Sequence, residues 1–169
     1  HRGPDDSGVY SIKDKNISIA MKRLSIIDLK LGQQPMIDHE NQNIIVFNGE
    51  IFNASQLRND LLKKNVSFVS NNSDTEVILK LYAKYGAKML NLLNGMFAFA
   101  IYDKQKNTIF MARDRAGIKP LYYYNKNEHF IFASEIKSLI KIPFVSNNID
   151  FQSVKNYLTF QFVPAPNTI

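Results

Sequence analysis

SDTEVILKLYAKYGAKMLNLLNGMFAFAIY, residues 73–102, changes its hydrophobic period part-way along. From Ser73 to Gly86 the pattern is helical. Ser73 followed three residues later by Glu76 has the form of a capping box. Val77, Ile78, Leu81, Tyr82 and Tyr85 then fall on one stripe, and Gly86 supplies a helix stop. A short further helix is expected over 89–93. From Met96 to Tyr102 the period disappears into a continuous aromatic and β-branched run of strand length. A helical segment therefore feeds a buried strand, and the neighbouring segments decide how that strand is paired.

Downstream, three more short apolar runs follow at 108–112 (TIFMA), 121–124 (LYYY) and 129–133 (HFIFA), each bounded by polar turns. Ser134 or Glu135 is expected to open a short helix through Ile140. Asp150 is expected to cap a last one with Val154, Tyr157 and Leu158 on its apolar face. Upstream, strands are expected at 9–13 and 17–21 around the turn Asp14-Lys15-Asn16. A short apolar run lies at 24–27. NIIVF at 43–47 reads as a strand ending in the turn pair Asn48-Gly49. Asn53 with Gln56 resembles a second capping box, followed by Leu57, Leu61 and Leu62 at helical spacing. The order strands, helices, strands, helix predicts an α+β fold with antiparallel sheets and argues against alternating βαβ units. Two packed sheets covered by helices accommodate it. The domain is expected to span 1–142, with 143–169 a connection into another unit.

With 45% hydrophobic and 21% charged residues, the 169-residue chain has the composition of a soluble globular protein. No apolar run approaches the roughly 20 residues that a membrane crossing requires. The net charge of +6 is spread thinly; no basic cluster is interleaved with aromatics, so nucleic acid is not the expected partner. Cysteine is absent, which removes disulfides and a thiol nucleophile from these residues. His1, His39 and His129 lack metal-ligand spacing, so no metal site is expected. The chain starts at His1 and closes on a proline-rich stretch, and it reads as an internal piece of a longer protein.

Four polar clusters interrupt the apolar pattern. His1-Arg2-Gly3-Pro4-Asp5-Asp6-Ser7-Gly8 is either a plain turn or part of a pocket wall. Arg23 is either a surface residue or a clamp for a carboxylate. Asn48-Gly49-Glu50 is either a turn at a strand end or a pair of donors for an oxyanion. In Ser73-Asp74-Thr75-Glu76, capping explains Ser73 and Glu76 but does not require Asp74, whose carboxylate is suited to an ammonium group. Together the clusters describe a site for an α-amino acid with a reactive carbonyl. Glutamine fits, and the residues alone do not single it out.

The strings HRGPDDSG, RLSIIDL, GQQPM, FNGEIFN, SDTEVILKLY, LNGMFAFAIYD, ARDRAGIKPLYYY, FASEIKSL and VPAPNTI follow one another over nearly the whole chain. This succession resembles the class II glutamine amidotransferase domain of bacterial B-type asparagine synthetases. The resemblance implies an N-terminal-nucleophile hydrolase fold, a four-layer αββα sandwich. It also implies hydrolysis of glutamine to glutamate and ammonia by an N-terminal Cys that would precede His1, so the fragment alone is expected to be inactive. By the same resemblance, Arg23 binds the α-carboxylate of glutamine, Asn48 and Gly49 form the oxyanion hole, and Glu50 and Asp74 hold the α-amino group. The backbone around Leu24, Ile26 and Ile27 lines the pocket. Met21 stands where the family often has His. No cofactor is implied for this domain. ATP and Mg are expected in a C-terminal synthetase domain that amidates aspartate, in a cytoplasmic enzyme; a homodimer is left open. Two alternatives remain: the same chemistry serving a sugar, peptide or antibiotic precursor, and a glutamine-binding module without catalysis.

Overall fold

The computed structural model describes residues 3–23, 32–167 and 169. The chain forms two compact units, His1–Pro120 and Leu121–Ile169. In the first, β3 (Met36–Asp38), β4 (Asn43–Ile51), β5 (Gly95–Asp103) and β6 (Thr108–Arg113) form one antiparallel sheet in the order β3-β4-β5-β6. Strands β1 (Asp6–Ile12) and β2 (Ile17–Arg23) make a separate hairpin. It turns through a 3-10 segment, Lys13–Lys15, with Asn16 in the left-handed region at φ 51°, as the turn at 14–16 predicts.

Helices α1 (Ala54–Leu62) and α2 (Asp74–Tyr85) cover one face of the sheet. Ile45, Phe47, Phe99 and Ile101 on that face pack with Leu57, Leu61, Ile78, Leu81 and Met89. The alternate residues Ile44, Val46, Ala98, Ala100 and Tyr102 are buried as well. On their side, Lys15 of the β1–β2 turn donates to the Tyr102 hydroxyl at 3.4 Å and to Asn107 Oδ1 at 2.9 Å. The hairpin thus lies against the second face, and the layers of this unit run helices, sheet, hairpin. A strand buried on both faces has no polar side to alternate with, which is why the runs at 44–47 and 96–102 are continuously apolar.

Three local expectations are corrected. The strand beginning at Asn43 does not end at Asn48-Gly49; it runs on to Ile51. Asn48 pairs with Ala98, Gly49 with Phe97 and Glu50 with Met96, so pairing with β5 overrides the local turn preference. Gly49 has φ 150°, and a Cβ there would lie 2.1 Å from the Met96 carbonyl oxygen, so glycine serves close strand approach. Asn53 precedes α1 but its side chain does not cap the helix. It is committed elsewhere, donating to the Leu92 carbonyl at 2.9 Å and accepting from Asn94 N at 3.0 Å. Capping of α2 is half of a box: Ser73 Oγ accepts from Glu76 N at 3.4 Å, while the Glu76 carboxylate turns away to Val69 and Ser70.

The second unit contains the hairpin β7 (Tyr122–Lys126) and β8 (His129–Ala133), then α3 (Ile136–Leu139) and α4 (Phe151–Phe160). Asp150 caps α4 by accepting from Gln152 N at 3.1 Å, as predicted. The expected apolar face of α4 is not buried: Tyr157 is 49% and Leu158 76% exposed, because the unit offers no second layer to cover them among the described residues.

Candidate active site

Two backbone groups of Phe97 fix the chemistry of the strand beside it. Its N–H donates to Asp114 Oδ2 at 3.2 Å, and its carbonyl accepts from Asp114 N at 2.7 Å. Both therefore point away from β4. Gly49 lies opposite Phe97, so theirs is a non-hydrogen-bonded pair, and the Gly49 N–H points outward from β5. Along the same edge, the Phe47 N–H donates to Gln34 Oε1 at 2.6 Å and the Ile51 N–H to Asp74 Oδ2 at 3.2 Å. β3 pairs no further along β4 than Ile45. The Gly49 amide lies between these two side-chain caps, with no partner among the described residues. The half-buried Asn48 precedes it. A backbone donor on an open edge and a side-chain amide one residue earlier are the two donor types an oxyanion hole uses.

Asp74 comes to this edge from a different element. Ser73 starts α2, and Asp74 is its first residue, where a negative charge is favoured by the helix dipole. Asp74 is buried, with 7% of the residue exposed. Burial pushes its pKa above the ordinary value; the N–H groups of Ile51 and Thr75 oppose this, and the charge of Glu50 adds to it. Among the described residues, no cation is among the groups that set this balance. The fold thus brings Asp74 beside β4 next to Glu50, and the resulting excess of negative charge suits a bound ammonium.

Arg23 ends β2 and is 9% exposed, so it is not a surface arginine. Its backbone is held by Asp5 N, which donates to the Arg23 carbonyl at 3.2 Å, and by a bridge to Pro4. This places Gly3-Pro4-Asp5 of the first polar cluster directly beside Arg23. A Cβ on Gly3 would lie 2.3 Å from the Lys22 carbonyl carbon, so that approach requires glycine. Leu24, Ile26 and Ile27, together with His1 and Arg2, lie outside the described residues.

Gln34 and Asp114 escaped the sequence reading. Gln34 stands in the GQQPM string and Asp114 in ARDRAGIKPLYYY, but nothing in either string names the distant amide it serves. Asp114 Oδ1 also accepts from Ile118 N at 2.8 Å and Oδ2 from Lys119 N at 3.0 Å. Burial alone would raise its pKa; donation from Lys119, Ile118 and Phe97 outweighs this and holds it below the ordinary value. A lowered folded-state pKa contributes stability that is present above the unfolded value of about 3.9 and is lost as pH falls through the folded value. Asp74, with its raised pKa, has the opposite sign: its contribution is present at low pH and lost as pH rises. Urea unfolding of wild type and Asp114→Asn should therefore show a stability gap that narrows as pH falls below about 4. A gap independent of pH across that window would count against this role.

The Glutamine amidotransferase domain family matches residues 1–169. The chain is 43% identical to glutamine-hydrolysing asparagine synthetase 1 of Bacillus subtilis over 100% of its own length and 26% of that protein's. It is 41% identical to a putative asparagine synthetase 2 of Methanocaldococcus jannaschii, over 100% of this chain and 36% of the relative. Asparagine synthetase B of Escherichia coli is 41% identical over 84% of this chain and 25% of its own. The chain thus spans between 25% and 36% of the length of these relatives. Among solved structures, glutamine phosphoribosylpyrophosphate amidotransferase from B. subtilis, complexed with ADP and GMP, superposes with a TM-score of 0.60 at 25% identity. That match covers 73% of this chain and 28% of the other.

Proposed function

The chain belongs to the glutamine amidotransferase domain family, with the α+β αββα sandwich of N-terminal-nucleophile hydrolases, and from that premise we propose that the complete protein of which it is part hydrolyses glutamine to feed asparagine synthesis. The observation that carries the site assignment is the β4 edge: an outward Gly49 amide beside a buried Asp74 and a neighbouring Glu50, with no cation from the described residues among the groups that set the Asp74 balance. In this reading Asp74 and Glu50 take the α-ammonium of glutamine, and Arg23 takes its α-carboxylate. The backbone around Leu24, Ile26 and Ile27 completes the pocket. A Cys thiol from outside these 169 residues attacks the side-chain amide carbon. Asn48 Nδ2 and the Gly49 N–H stabilise the oxyanion that forms, ammonia leaves, and water releases glutamate from the thioester.

Residues 1–142 are the glutaminase part in this proposal, and 143–169 lead into a synthetase domain of the same protein. That domain would use ATP and Mg to activate aspartate in the cytoplasm. The relatives' names and the partial coverage support this arrangement. The complete protein, given glutamine labelled at its amide nitrogen together with aspartate and ATP, should place the label in asparagine. Label in a sugar, a peptide or an antibiotic precursor instead would replace the acceptor and keep the glutaminase. The 169-residue chain, which contains no cysteine, should release no glutamate above a buffer blank; release would refute the thiol mechanism.

A further inference from the structure

A buried carboxylate and a half-buried guanidinium meet at the start of α2, where Asp74 lies. Glu76, 6% exposed, accepts from Val69 N at 2.7 Å and Ser70 N at 2.8 Å, and also from the Ser70 hydroxyl. Arg58, reaching across from α1, donates to the Ser70 carbonyl at 2.8 Å, to Ser70 Oγ at 3.0 Å and to the Ser73 carbonyl at 3.3 Å. Its guanidinium stacks over Phe68 at 4.1 Å and lies 3.8 Å from Glu76 Oε2. Ser70 is thus gripped on every polar atom, by one side chain from each helix. Ser73, the residue before Asp74, is held through its carbonyl.

Helix capping does not require this network. Ser73 Oγ already serves the first turn, and a capping box would have spent the Glu76 carboxylate on the Ser73 amide. The carboxylate is spent on the loop before the helix instead. What the network controls is the position of the α2 N-terminus relative to β4, where Asp74 meets the Ile51 amide. A buried carboxylate beside Glu50 would relax away from that place unless its backbone were held.

We propose that Arg58, Ser70 and Glu76 form a clamp that positions Asp74, and that the clamp sets how strongly the site discriminates for the α-ammonium group of its substrate. The proposal rests on the reading of Asp74 as the ammonium partner. These three are positioning residues; they act through Asp74 and touch no substrate atom.

The test uses the complete protein and two substrates, glutamine and its analogue lacking the α-amino group, 4-carbamoylbutanoate. The readout is the ratio of their kcat/KM values. Asp74→Asn provides the reference loss of that ratio. Glu76→Gln and Ser70→Ala should each lower the ratio on the order of tenfold through KM for glutamine, since small misplacement of a binding group is costly. The analogue should be used about as well as by wild type, within roughly twofold. Ser70→Ala removes a single hydroxyl and keeps the test decisive if Glu76→Gln accumulates poorly. A ratio lost in Asp74→Asn but kept in both clamp variants overturns the clamp alone, as does an equal fall on both substrates. A ratio unchanged in Asp74→Asn overturns the ammonium assignment itself.

Discussion

Asn48→Ala in the complete protein should slow glutamine hydrolysis on the order of a hundred- to a thousandfold, the usual effect of removing one oxyanion donor. The effect should fall on turnover, because the donor meets a charge that develops only in the transition state. Synthesis driven by added ammonia should persist, since that nitrogen source bypasses the glutaminase site. The structure favours a clean result. Asn48 is half-buried in the middle of β4, and its backbone pairing with Ala98 does not depend on its side chain. No side-chain hydrogen bond ties Asn48 to another described residue, so among these the substitution leaves no partner stranded. Parallel rate assays with glutamine and with ammonia decide the matter. An equal fall in both would mean that Asn48 supports the fold and not the oxyanion.

Arg23→Lys and Asp74→Asn should each raise the KM for glutamine, by an amount corresponding to roughly 2 to 5 kcal/mol, as when one partner of a buried charge pair is lost. Both charged groups of glutamine must leave water to enter the site, which is unfavourable unless each meets an opposite charge. Lysine keeps the charge of Arg23 but not the planar fork that meets a carboxylate with two parallel hydrogen bonds. Asparagine at 74 keeps an acceptor for the Ile51 amide, now seen to be a second duty of this side chain. It loses only the charge. Burial and Glu50 disfavour that charge, so Asp74→Asn should leave the melting temperature unchanged or raised while glutamine binding weakens. Kinetics and thermal unfolding on the same two variants test this. Unaltered glutamine kinetics with a lowered melting temperature would assign Asp74 to the helix cap and not to the ligand.

Local signals in the sequence suffice where the answer itself is local. The turn at Asn16, the cap at Ser73, the stop at Gly86 and the cap at Asp150 each depend on a few neighbouring residues and their dihedral preferences. The same holds for the α+β order of elements, because a change of hydrophobic period is written along the chain itself. The resemblance to the amidotransferase family added roles for Arg23, Asn48, Gly49, Glu50 and Asp74 that residue chemistry had left open.

The sequence by itself determined the order of the main helices and strands, and that one helix start carries a spare carboxylate; the short strand at Met36–Asp38 was not legible in it. Only the tertiary structure decided that Asn48-Gly49 continues a strand, because the β5 ladder outweighs the turn preference of two residues. Only it showed that Asn53 serves the turn at 92–94, that Glu76 serves the loop at 69–70, and that Gln34 and Asp74 cap alternate amides of one edge. The physical reason is the same in each case. A buried N–H or carbonyl must find a partner, and when that partner lies 13 or 23 positions away, as for Phe47 and Ile51, no local pattern in the chain records the match.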